Sequence, residues 1–155
     1  MRRLALQESL GVEVDPRALY YPSGIEIEAG ARYAFRAEGK WADSWIKCGP
    51  EGWHGLLLTA GNRLPWKPFF LLCGALGWDL EHAFGIGTEL PDWPAPADIG
   101  ELTDRQLTFF ANDWRRRYGN NRPLPEAEGG PLRVFVTRVN RSEERRVGKE
   151  CRSRW

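Results

Sequence analysis

The sequence predicts an all-β domain of the sandwich or barrel kind, on three observations. Short apolar segments of strand length recur between turn residues, and 17 Gly and 11 Pro suit many tight turns. No stretch shows the 3.6-residue apolar repeat of an amphipathic helix. At 155 residues the chain holds one ordinary domain with a proper core, and 8 Trp supply large apolar side chains for it.

Taken in order, residues 25–28 (Ile-Glu-Ile-Glu) run into Ala29-Gly30, and residues 32–37 (Arg-Tyr-Ala-Phe-Arg-Ala) run into Glu38-Gly39. The second segment alternates in the period of a strand with one buried face. Residues 69–76 are a continuous apolar run, as expected of a strand covered on both faces. Residues 82–85, 100–103, 105–111 and 132–139 complete the expected strands, with His82 on a strand or strand edge. Residues 90–96 (Leu-Pro-Asp-Trp-Pro-Ala-Pro) are expected to form a surface loop, because proline has no N–H to give a ladder. Residues 122–131, with three prolines and two glycines, are expected to form another. Trp41 is assigned to the core, and Trp45, Trp53, Trp93 and Trp114 to loops.

Charge and composition exclude several functions. A formal net charge of +1 supplies no bulk basic field for nucleic acid, and no apolar run is long enough to span a membrane. The Met1-Arg2-Arg3 start lacks the apolar stretch of a secretory signal, so the chain is expected to be cytoplasmic or released by a non-classical route. Residues 1–11 are taken as an N-terminal extension, 12–140 as the β-sandwich domain and 141–155 as a non-native or disordered tail. The tail is polar, charged and aperiodic, and it resembles, codon for codon, the translation of a common DNA-sequencing adapter. It carries six of the 22 basic and three of the 21 acidic side chains, so the rest of the chain has a formal net charge of −2. Without it, Cys48 and Cys73 remain, compatible with one disulfide or with two buried thiols. No Gly-x-Ser-x-Gly, His-Glu-x-x-His or phosphate-cradling glycine loop occurs, and two separated histidines make a poor zinc set, so an enzyme is not expected.

Chemistry concentrates in residues 109–121, where an apolar strand (Phe-Phe-Ala) runs into Asn112-Asp113 and then Tyr118-Gly119-Asn120-Asn121. Calcium takes six to eight oxygens from carboxylates, amide side chains and main-chain carbonyls, and a short loop can present several around one point. Asp113 offers charge, Asn120 and Asn121 offer neutral oxygens, and Gly119 lets the backbone turn. From these residues alone a type I′ hairpin turn fits as well.

Five segments stand in order along the chain: Ser23-Gly24-Ile25 with Glu28-Ala29-Gly30, Ala37-Glu38-Gly39-Lys40-Trp41-Ala42, Gly49-Pro50-Glu51-Gly52, Leu72-Cys73-Gly74-Ala75-Leu76, and the Asn112-Asp113 to Tyr118-Gly119-Asn120-Asn121 stretch. In that order and spacing they resemble the LecA-type (PA-I) galactophilic bacterial lectins. The resemblance spans residues 12–139 and implies a galactose-binding-domain-like jelly-roll β-sandwich. It further implies a calcium-dependent carbohydrate-binding domain that takes a galactoside or related sugar. Calcium would be held by Asp113, Asn120 and Asn121, with main-chain carbonyls from Arg117 and from Asp43 or Ser44. Asp113 and Asn120 would also meet the sugar hydroxyls. His54 takes the place of the family's contact to the primary hydroxyl, and Trp53, with Trp114, is a candidate to stack on the sugar face. The sequence departs from the family in three places. The Trp53-His54-Gly55 segment is shorter, Arg115, Arg116 and Arg117 stand where the family has small residues, and residues 122–131 are inserted after the Asn pair. The arginines either point to solvent or select an acidic saccharide. Assembly into a homo-oligomer stays open. The alternative is a structural or interaction sandwich that has lost sugar binding.

Overall fold

A computed structural model describes residues 1–139 of the chain, and the tail set apart at 141–155 lies outside the described residues. Among the described residues, eleven strands make two four-stranded antiparallel sheets and one small three-stranded sheet. The first sheet runs in the order β1 (Ser9–Glu13), β11 (Arg133–Val139), β3 (Arg32–Glu38), β8 (Glu89–Pro94), and the second in the order β2 (Tyr21–Glu26), β9 (Gln106–Ala111), β6 (Leu72–Leu76), β7 (Asp79–Gly85). The small sheet orders β10 (Asn121–Pro123), β4 (Trp41–Asp43) and β5 (Ile46–Cys48). The expected all-β sandwich is the architecture found. Among the described residues no helix is long and apolar enough to cross a membrane.

The core lies where the inner faces of the two large sheets meet. β3 sends Tyr33, Phe35 and Ala37 inward, as its alternation predicts, and β11 adds Val134 and Val136. β2 and β9 answer with Ile25, Leu107 and Phe109. The continuous apolar run at 69–76 has its cause in a second, smaller cluster. Cys73, Ala75 and Phe110 point to the outer face of the second sheet and are covered there by Tyr20, with Leu19 and Leu64 packed around them. All five residues of β6 are therefore buried. Phe84 of β7 stacks on Trp93 of β8 at 4.2 Å and closes the sandwich where the two sheet edges meet.

Several sequence expectations need correction. Residues 90–96 are not a loop for most of their length: β8 pairs with β3 at the edge of the first sheet, and an edge strand tolerates Pro91 and Pro94 because one side of its backbone has no partner. The register shifts between the Tyr33 and Phe35 pairings, where Pro91 falls. Trp93 is accordingly a strand residue and packs on Tyr33, Phe35 and Phe84. Residues 100–103, by contrast, are not a strand; a 3-10 turn, Ala97–Glu101, inserts Ile99 into the core. The insertion at 122–131 contains β10 and a second 3-10 turn, Glu126–Glu128. The first eleven residues are integrated into the fold, since Leu4 is buried, Arg2 bridges Ile25 and β1 pairs with β11 from Ser9 onward. Cys48 and Cys73 are buried free thiols.

Candidate functional site

β9 ends at Ala111 in the middle of the second sheet and delivers Asn112 and Asp113 to one end of the sandwich. The chain then turns through Trp114 and Arg117, with the Arg117 N–H donating to the Trp114 carbonyl at 2.9 Å. It continues through a 3-10 turn, Tyr118–Asn120, directly into β10. Tyr118 anchors this return. Its ring is buried, its hydroxyl donates to the Ala111 carbonyl, and the same hydroxyl accepts from the Arg63 guanidinium at 2.9 Å. The loop's two arms, 111–113 and 118–121, are thereby tied together at their bases.

Neighbouring polar residues on this loop behave oppositely. Asn112 is fully buried and fully engaged: its Oδ1 accepts from the Leu64 N–H at 2.8 Å, while its Nδ2 donates to the carbonyls of Leu64, Lys67 and Pro68. It is a clamp on the 64–68 segment. Asp113, only 3 % exposed, receives the Trp114 N–H on Oδ1 at 2.7 Å, but its Oδ2 has no hydrogen-bond partner. Asn120 and Asn121 each bury an Oδ1 that likewise lacks a partner, although Asn121 Nδ2 donates to the Pro16 carbonyl at 2.8 Å. Burial without a partner costs about 1–3 kcal/mol for a neutral polar atom and more for a charged one. Three such oxygens lie on the three residues singled out as calcium ligands, and coordination to a hard cation would give each the partner it lacks.

The electrostatics agree with that reading. Burial first, with the nearby Asp43 carboxylate adding to it, pushes the Asp113 carboxyl up to about 6 against the pull of the Trp114 N–H, Arg117 and Asn121. Asp43 is itself raised, again by burial first, with Arg117 and the Trp53 indole acting the other way. A divalent cation would hold both groups ionised.

The two candidate carbonyls differ in how far they are engaged. Arg117 O accepts only a long 3.4 Å bond from Asn120 N, whereas Ser44 O accepts from Arg122 Nε at 2.9 Å. Ser44 N–H in turn donates to the Asn120 carbonyl at 2.9 Å, and Asp43 lies opposite Asn121 in the β4–β10 ladder. Asp43 and Ser44 are thus both held beside the Asn pair.

A depression of about 130 Å³ opens beside Asp113, lined by Asp43, Trp53, Leu58, Phe69, Trp114 and Arg117. Trp53 stacks on Phe69 at 4.7 Å, and Trp114 donates its indole N–H to the Leu58 carbonyl at 2.9 Å. Trp53 therefore reaches the same pocket as Asp113. His54 is exposed and lines a different, shallower depression with Leu56, Leu57 and Trp66. Arg117 borders the pocket beside the Trp114 ring, while Arg115 and Arg116 are exposed outside it. Gly119 and the Asn pair also correct an expectation. None of the three has a positive φ, and a Cβ at Gly119 would meet nothing within 4 Å, so the segment is not a type I′ hairpin and does not need glycine to turn.

Against known proteins, no family model and no curated protein sequence matches the chain. A solved structure does. The N-terminal domain of EclA, described as a PllA-like lectin, superposes with a TM-score of 0.54 at 23 % identity, covering 84 % of this chain and 94 % of that one. The fold is shared. That likeness carries the sandwich architecture, while the arrangement of Asp113, Asn120 and Asn121 stands on this chain's own geometry.

Sequence reasoning missed Arg63. It is 9 % exposed, donates to the Leu19 carbonyl and the Tyr118 hydroxyl, and packs over the Phe110 and Tyr20 rings at 4.1 and 4.5 Å. Its main-chain N–H also holds the Asp113 carbonyl at 3.1 Å. No local signal marks it, because its role depends on aromatic rings distant in sequence.

Proposed function

We propose that this chain is a calcium-dependent carbohydrate-binding domain, with Asp113, Asn120 and Asn121 holding the cation by their side-chain oxygens and Arg117 and either Asp43 or Ser44 contributing main-chain carbonyls. One observation carries it: the three buried side-chain oxygens without partners at the end of β9 and the start of β10. The likeness in fold to a PllA-like lectin domain supports the same reading. Bound calcium supplies open coordination positions in which vicinal sugar hydroxyls can replace water. This chain's residues do the rest. The Tyr118 and Arg63 bonds hold the loop's arms, Trp53 and Trp114 offer apolar ring surface beside the pocket, and Arg117 stands at its rim for a sugar bearing a carboxylate. The domain recognises and does not transform its ligand, and a galactoside or an acidic relative is the substrate class.

Calorimetric titration of calcium into the full chain, followed by galactose and galacturonate in calcium and in chelator, tests this. Calcium-dependent sugar heat, abolished by Asp113→Ala, is the expected result. Sugar heat that survives the chelator, or no calcium heat at all, would sink the mechanism.

A further inference from the structure

The β4–β10 ladder pairs Asp43 directly with Asn121. Residues opposite one another in an antiparallel pair project to the same face, with Cβ atoms about 4.5–5.5 Å apart. The Asp43 side chain is therefore on the side of the ladder that buries the unpartnered Asn121 Oδ1. It also lines the same depression as Asp113, whose Oδ2 is buried and unpartnered. Backbone bonds hold this placement, since Ser44 N–H donates to the Asn120 carbonyl immediately after Asp43.

From this juxtaposition we infer that the Asp43 carboxylate, and not only its main chain, is a second acidic ligand of the cation proposed above, on which this inference rests. With Asp113 alone, a divalent ion would keep a net positive charge beside Arg117 at the pocket's rim. With Asp43 added, two carboxylates balance it. Two carboxylates lining one small pocket repel each other until a cation lies between them, and affinity at oxygen sites for calcium rises with the number of charged ligands.

Calcium titration of full-length wild type, Asp43→Asn and Asp43→Glu tests the inference, together with the number of waters on bound europium, read from its luminescence lifetime in light and heavy water. Asp43→Asn keeps the main-chain carbonyl and nearly the same shape, and it is expected to weaken calcium binding at least about tenfold, as loss of a charged ligand should. Asp43→Glu keeps the charge but displaces the oxygens, so it is expected to remain several-fold weaker than wild type and to change the europium water count. A Glu variant that binds like wild type with an unchanged water count would reduce Asp43 to a distant charge and overturn direct ligation. An Asn variant within about twofold of wild type would overturn any part for the carboxylate. If the wild-type chain takes up no calcium, the cation reading itself fails, an outcome distinct from both.

Discussion

Asn112 and Asp113 are adjacent, both are buried, and their polar atoms are engaged in opposite ways. Asn112 places each polar atom against a backbone partner in the 64–68 segment, so its burial costs nothing unsatisfied and rigidifies the end of the sandwich. Asp113, with Asn120 and Asn121 across the loop, leaves oxygens buried without donors. Each such atom costs the fold stability unless something supplies its missing partner. Asn112 spends its polar atoms on architecture, whereas the oxygens of Asp113, Asn120 and Asn121 are the ones the proposed cation would complete.

The comparison can be broken most severely at Asn112. Asn112→Ala would strand the Leu64 N–H and remove donors from three carbonyls, and it is expected to cost about 4 kcal/mol. Thermal melting with and without calcium would show a large drop in both conditions. A drop smaller than about 1 kcal/mol would mean that the 64–68 segment is held by something else.

Asp113 should respond in the opposite direction. Its carboxyl is raised to about 6 in the folded chain from an ordinary 3.8, so the folded state favours the protonated form. The associated stability is fully present below about pH 4 and is lost as the pH rises through about 6, a difference of order 2–3 kcal/mol in the calcium-free protein. Asp113→Asn should remove that pH dependence and leave the calcium-free protein as stable as wild type, or more so, at pH 7. Denaturant unfolding between pH 4 and pH 7 in chelator measures this. A wild-type chain that gains stability across that interval would contradict an unpaired buried carboxylate.

The smallest effect is expected from Tyr118→Phe, which removes the hydroxyl linking Ala111 and Arg63 while leaving the ring in place. A loss of about 1 kcal/mol in stability should accompany a few-fold loss in calcium affinity, because the loop's two arms are no longer fastened to each other. Stability lost without any change in affinity would make Tyr118 a core residue and nothing more.

Much of this was legible in the chain itself, and the parts that were not share a physical cause. Alternation in residues 32–37 announces a strand buried on one face, and the apolar run at 69–76 announces one buried on two, although only Leu72–Leu76 of that run is strand. The Asn-Asp and Asn-Asn pairs announce the candidate site, because oxygen-rich side chains at close spacing are visible without coordinates. Tertiary structure alone decided the rest. Prolines at 91 and 94 forbid a central strand but not an edge strand, and only the sheet order shows that β8 is an edge. Residues 9–13 look unremarkable until they pair with β11 more than a hundred residues away. Arg63 and Asp43 acquire their parts in the same manner, one from the rings of Tyr20 and Phe110 and the other from lying opposite Asn121 across a ladder. Local period and residue chemistry are written in neighbouring positions, whereas partnership between distant strands exists only once the chain has closed on itself.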